Sequence, residues 1–461
     1  MYLNLLKVSN SFYKVSLGLF FLTMLYSGFW QQRAGLIFFA FFLFILSLVL
    51  TLISQEKGLY FFFFTSPLIP IWLKVFNKFT VDDFIFTGVL LGGLIQKLIK
   101  KEKFKIIPLQ YFLFLLGIFS LISLFKAALI YPVIAFFLRM LYYILLLSLI
   151  LENLTSNPDK IEKFINLLFY SIIILCGLSL LFYYLYSFNI IKSLIWLEAL
   201  PSYHPGADII KCRIAGTFGA DFITGFLELF YPLFFSLYLI KKERKYLILF
   251  LLITITIFLT YTRAGIIASF AGLVLTIFLS IQKQKLLLRY LLYIIILFIL
   301  FIILIPGVKV RMQAIAKNDR IVLIKAAWEI IKLNPLTGTG SGWSNYKIYL
   351  KKIHTTANAN AHNSFLRMWA ENGFFAFCIF VSMSLYIIFE IKKSFASIIS
   401  PVSSSIAAGL TGGLFAYLIQ NFSNNLFFLP KITVFMLLNY ALLYTLTKFN
   451  GEGKVPGGVS N

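Results

Sequence analysis

Fourteen apolar runs follow one another along the chain, near residues 13–30, 34–53, 59–76, 82–99, 106–125, 131–151, 164–187, 219–240, 246–261, 264–281, 287–305, 372–390, 402–421 and 428–447. Each is close to the roughly 20 residues that an α-helix needs to cross a hydrocarbon layer. Backbone groups in hydrocarbon must bond within their own segment, so these runs predict helices. The composition agrees: 60% of the residues are apolar and only 13% charged, against about 45–50% and about 25% in a soluble domain. A water-soluble globule, a disordered chain and a disulfide scaffold are excluded. Several runs are short or share a tight turn, so the expected fold is an all-α, polytopic integral membrane protein with about 12–14 transmembrane helices. The first run has no Ala-x-Ala cleavage site and is followed at once by another, so it reads as a span rather than a removed signal peptide.

The net charge of +24 would suggest nucleic acid on a soluble protein. Here the lysines and arginines sit in short clusters between apolar runs, which is how basic residues orient membrane helices; no nucleic-acid partner is expected. With the N-terminus inside, cytoplasmic segments hold 21 basic residues and the short outer loops hold 9. Both termini are therefore expected in the cytoplasm. Two polar segments then fall on the outer face: a loop at 188–218 within the N-terminal membrane region 1–305, and a large piece at 306–371. Residues 372–461 return as C-terminal spans and a tail. In the large piece Ile321, Ile324, Trp328 and Ile331 share one helical face while Lys325, Glu329 and Lys332 share another, the pattern of a helix lying on a membrane surface. Cys176, Cys212 and Cys378 form neither a disulfide framework nor a metal cluster.

The chemically capable residues gather in the outer segments. Arg263, in Thr260-Tyr261-Thr262-Arg263-Ala264-Gly265, lies at a hairpin between two runs. It reads either as a snorkelling anchor or as a planar fork for a phosphate at headgroup depth. Arg213 precedes a span that carries Asp221, Thr224 and Glu228 along one face. Asp221 near a helix start is either a dipole partner or a functional carboxylate. Glu228, deeper in, needs a partner or water, and Arg139, two turns into its own span, is a candidate partner or a second phosphate contact. The glycines of Thr337-Gly338-Thr339-Gly340-Ser341-Gly342 allow backbone N–H groups to turn toward an anion, although such a turn is often only a turn. His362 precedes a span that Asn363 and Ser364 can cap. It is either incidental or a neutral imidazole at the membrane rim that takes a proton near pH 7. His204 and His354 lie in less constrained contexts. No HExxH, GxSxG, P-loop or dinucleotide fingerprint is present, and the three separated histidines without cysteine companions predict no zinc site.

In order, Arg213-x-x-Gly216-Thr217-Phe218, Thr262-Arg263-Ala264-Gly265, Arg320 with Asn334-Pro335 and Gly338-x-Gly340, and His362-Asn363-Ser364 with Glu371-x-Gly373 resemble the O-antigen ligase and polymerase superfamily. The resemblance covers about residues 210–375. It departs after Phe218, where this chain has Gly219-Ala220-Asp221 in place of an Asn-Pro-Asn-like stretch. It implies a GT-C-like membrane fold and an inverting glycosyltransferase that needs neither metal nor cofactor and works on the periplasmic face of the bacterial inner membrane. The implied donor is a glycan on undecaprenyl pyrophosphate. For a ligase, the implied acceptor is a lipid A–core sugar hydroxyl. His362, Arg213 and Arg263 are the implied catalytic residues; Arg320, Arg139, Asn363, Gly338 and Gly340 are the candidates for binding substrate. A polymerase would use the same donor chemistry with a lipid-linked repeat unit as acceptor. A protein oligosaccharyltransferase is a variant of the same kind. A lipid-linked glycan transporter would need a charged path across the membrane, whereas most basic residues here lie at helix ends.

Overall fold

A computed structural model describes residues 33–71, 73–76, 79–157, 159–190, 197–199, 212–281, 284–305, 307–308, 319–353, 355, 357, 359–396 and 401–451. The expected span at 13–30, most of the 188–218 loop with His204, and His354 lie outside the described residues.

In chain order the elements are α1 (Arg33–Ile53), α2 (Gln55–Thr65), β1 (Lys74–Phe76), β2 (Phe79–Thr80), α3 (Val81–Lys100), α4 (Pro108–Ser120), α5 (Tyr131–Ser156) and α6 (Asp159–Ser187). Then follow β3 (Leu197–Ala199), β4 (Cys212–Ile214), α7 (Ala220–Lys241), α8 (Arg244–Leu259), α9 (Arg263–Ser280), α10 (Gln284–Leu304), α11 (Asp319–Leu333), α12 (Trp343–Lys352), α13 (Ser364–Ala396), α14 (Pro401–Asn421) and α15 (Pro430–Gly451). The strands form two short antiparallel pairs, β1 with β2 and β3 with β4. The protein is otherwise helical, as the apolar runs require. Among the described residues, ten helices are long and apolar enough to cross a membrane.

Of the four apolar runs not among these ten, 13–30 lies outside the described residues and the other three differ for local reasons. The run at 59–76 is a helix only to Thr65. Ser66-Pro67-Leu68 tightens into a 3-10 turn and the chain continues as β1, because a proline ring clashes with the carbonyl of the preceding turn. The run at 246–261 is a helix of 16 residues, about 24 Å long at 1.5 Å per residue, short of a hydrocarbon core of about 30 Å. The run at 82–99 is one helix, α3, but Asp82 and Asp83 open it and Lys97 and Lys100 close it.

The chain divides into two compact units. One holds Met1–Lys103, Glu162–Leu178 and Gly216–Phe218. There α1 and α3 pack closely because Gly88 and Gly92 leave room for Ser47 and Thr51. The other holds Phe104–Ile161, Ser179–Ala215 and Gly219–Asn461. Its centre is α7, packed against α9 and α14. A methyl group on Gly409 would strike Leu233, one on Gly412 would strike Thr276 and the Gly272 carbonyl, and one on Gly413 would strike the Leu229 carbonyl. Small residues let helix backbones approach where lipid offers no hydrophobic drive for association.

Candidate active site

The second unit gathers the chemically capable residues where α7, α9 and α13 begin and α14 ends. Arg213 on β4 is nearly buried, and its Nη1 lies 3.1 Å from Asp221 Oδ1 in the first turn of α7. Thr262 Oγ1 reaches the same carboxylate oxygen and the Ala220 carbonyl at 3.2 Å each. Thr262 is also the residue just before α9, so Arg263 becomes that helix's first residue. The turn that presents Arg263 has Tyr261 in the left-handed region, φ 54°, costly for a residue with a Cβ. The Tyr261 hydroxyl, 3.0 Å from that of Tyr183, props it there. From α14, Gln420 Nε2 donates to the Asp221 carbonyl at 3.2 Å and to Thr224 Oγ1 at 3.0 Å.

His362 stands in the approach to α13, also left-handed at φ 43°. Its backbone N–H points to Asn360 Oδ1, 3.4 Å away, and its imidazole hydrogen-bonds with the Asn424 side chain. Asn363 caps α13, accepting from the N–H groups of Phe365 and Leu366 at 2.9 and 3.0 Å, while its Nδ2 donates to the Phe422 carbonyl at 3.0 Å. Both halves of that amide hold the helix start in place. Burial pushes the imidazole below its usual range, opposed by the Asp221 charge and aided by Arg320 and Arg367, with the Asn424 bond opposing. That direction favours the neutral ring that a proton acceptor requires. Arg320, exposed in the first turn of α11, is within electrostatic reach of Arg263 and Asp221. Partial burial and then Arg263 push its guanidinium below its usual range, with Asp221 opposing.

The glycine-rich turn does something other than expected. The Gly338 N–H donates to the Asn334 carbonyl at 2.9 Å, the Thr339 N–H to Ala370 at 3.0 Å and the Gly340 N–H to Glu371 at 2.9 Å. The Gly342 N–H donates to Glu371 Oε2 at 2.7 Å. The last three of these groups grip α13, and the Gly342 N–H is turned toward the protein's own Glu371 carboxylate. Gly338, Gly340 and Gly342 all have positive φ, which lets the turn follow the helix at close range. Glu371 is fully buried, and its other oxygen accepts from Arg367 Nε at 2.6 Å. Arg367 in turn lies over the Phe428 ring, 4.1 Å from its centroid. One carboxylate thus joins the loop to the helix that His362 precedes.

Residues 248–381 match the family described as O-antigen ligase. Over these residues, less than a third of its length, the chain is similar to that family. The matched stretch contains Arg263, Arg320, the glycine-rich turn, His362, Arg367 and Glu371; Arg213 and Asp221 lie before it. No curated protein matches the chain.

Within the matched segment and its surroundings, Arg213, Arg320 and His362 share one neighbourhood around Asp221, and Arg263, next to the Thr262 that bonds this carboxylate, acts on Arg320. Arg139 stands apart: half-buried in α5, it has no hydrogen bond or ion pair among the described residues. It does not pair with Glu228, whose two carboxyl oxygens are buried without a partner two turns below Asp221. Two features escaped the sequence. Arg367 was legible as an i, i+4 partner of Glu371 on one helix but lay unremarked between motifs. The amides of Gln420-Asn421-Phe422-Ser423-Asn424-Asn425 end an apolar run and carry no motif; only the return of α14 brings them to His362. Among the described residues, no group of three or more His, Cys, Asp or Glu side chains is placed to hold a metal ion.

Proposed function

We propose that the chain is an O-antigen ligase. It moves a glycan from undecaprenyl pyrophosphate to a sugar hydroxyl of lipid A–core at the periplasmic face of the inner membrane, with both termini cytoplasmic. The observation that carries this reading is a cluster at the helix ends: Arg213 bound to Asp221 at 3.1 Å, Thr262, next to Arg263, bound to the same oxygen, and His362 and Arg320 within electrostatic reach of that carboxylate. The acceptor oxygen attacks the anomeric carbon with inversion while His362 takes its proton. The bond to the pyrophosphate oxygen breaks on the opposite side, and the departing group gains negative charge. Guanidinium groups fixed near that oxygen stabilise the developing charge more than the ground state. The leaving group supplies the driving force, so neither cofactor nor metal enters the scheme.

The test uses full-length protein in nanodiscs with radiolabelled lipid-linked donor and lipid A–core acceptor, in excess chelator. Label should move to the acceptor, and His362→Ala should slow this by about 10²–10⁴-fold, the usual contribution of a positioned base. Longer lipid-linked chains formed without acceptor would identify a polymerase instead. Activity restored only by Mg²⁺ or Mn²⁺ would overturn the metal-free scheme.

A further inference from the structure

The amide groups behind His362 are incomplete. Gln420, Asn424 and Asn425 are 0, 2 and 5% exposed, yet among the described residues each keeps one polar atom without a hydrogen-bond partner: Gln420 Oε1, Asn424 Nδ2 and Asn425 Oδ1. Buried polar atoms without partners are uncommon, because each has given up its hydration without compensation. All three residues are tied to the site by their other amide atoms. Asn424 bonds the imidazole. Asn425 Nδ2 donates to Asn360 Oδ1, the same oxygen toward which the His362 N–H points. Gln420 Nε2 donates to Thr224 and to the Asp221 carbonyl. The atoms left over are therefore held in place beside the site by the bonds of their own side chains.

The chemistry of the three atoms selects a ligand. One is a donor and two are acceptors. A phosphate, which offers only acceptors when ionised, would meet two repelling oxygens. A sugar ring offers hydroxyls that both donate and accept. We propose that Gln420, Asn424 and Asn425 form a carbohydrate subsite beside His362, binding sugar hydroxyls of the donor or acceptor glycan, while Arg213, Arg263 and Arg320 face the pyrophosphate. The proposal rests on the glycosyl-transfer reading but is tested by binding.

Saturation-transfer NMR on full-length protein in nanodiscs, with lipid-free oligosaccharide released by mild acid from the source cell's surface glycan, reads the subsite directly. Wild type should give a saturable signal. Asn425→Ala and Asn424→Asp should weaken it at least tenfold; the second keeps an oxygen for the imidazole but replaces the Nδ2 donor with a charged acceptor oxygen. Arg263→Ala should leave it unchanged, while Arg263→Ala and not Asn425→Ala should lose binding of inorganic pyrophosphate. An oligosaccharide signal that is absent in wild type, or equal in folded Asn425→Ala and Asn424→Asp proteins, overturns the subsite. Steady-state assays then assign it: Asn425→Ala raises KM for the acceptor if the acceptor sugar sits there, and for the donor if the donor sugar does. Sugar binding that follows the amides in a protein without transfer activity would sink the ligase reading and leave the subsite standing. Transfer unaffected by both variants would do the reverse.

Discussion

At the scale of single residues, His362 answers to charges on three elements. Asp221 on α7 favours its protonated form; Arg320 on α11 and Arg367 on α13 oppose it. The active base is the neutral ring, so activity should fall as pH drops through its pKa. Because burial and the arginines depress that pKa, the acid limb of kcat/KM should lie below the ordinary value of about 6.5. Arg367→Gln removes a repelling charge and should move the limb to higher pH; Asp221→Asn removes an attracting one and should move it lower. A limb that stays put in both variants would mean that another group is titrating. Arg213 and Arg263 belong to the same scale. On the proposed reaction, Arg→Lys at either position keeps charge but loses the planar fork, and transfer should drop by about 10²–10³-fold, comparable with losing one preorganised donor. Near wild-type turnover in both would make them orientation anchors only.

At the scale of elements, the Glu371 carboxylate carries the junction between the glycine-rich turn and α13. Glu371→Ala leaves the Arg367 guanidinium and the Gly342 N–H without their acceptor. Breaking one side of a buried ion pair costs about 3–5 kcal/mol, which thermal unfolding in detergent should register as a lower Tm. Helix α11 shows how an amphipathic pattern is read and misread. Ile321, Ile324 and Trp328 are exposed as expected of a membrane-surface helix, but Ile331 turns inward with Ala327 and Ile330 to pack on Tyr346 and Tyr349. Periodicity gives the face, whereas the tertiary neighbour decides where its edge falls. The glycines admit both a turn and an anion cradle for a similar reason: positive φ is a local property, but the acceptors for the N–H groups of Thr339, Gly340 and Gly342 come from α13, some 30 residues on. The membrane fold was legible because hydrocarbon admits few alternatives to helices. The arginines and His362 were legible because polar groups beside apolar runs stand out. The amides of Gln420, Asn424 and Asn425 were not, since nothing local distinguishes them from a polar helix end.

At the scale of the whole molecule, the second unit is organised about backbones that touch. Where α7, α9 and α14 meet at Gly272, Gly412 and Gly413, added side chains would need the helices to separate. Gly413→Leu should therefore lower the yield of folded protein sharply, as size-exclusion chromatography would show, while Gly177→Leu, at a position open to space, should not. The crowd of guanidinium groups around one carboxylate also has a kinetic consequence. On the proposed reaction, the lipid pyrophosphate left after transfer carries more negative charge than the donor and no longer bears a glycan. The arginines that received the donor then retain the spent carrier more tightly than its successor. Turnover would be governed by release of that carrier, with a burst in the first cycle and competitive inhibition by undecaprenyl pyrophosphate. Both effects should relax as ionic strength rises, because dissolved ions weaken the hold on the departing lipid.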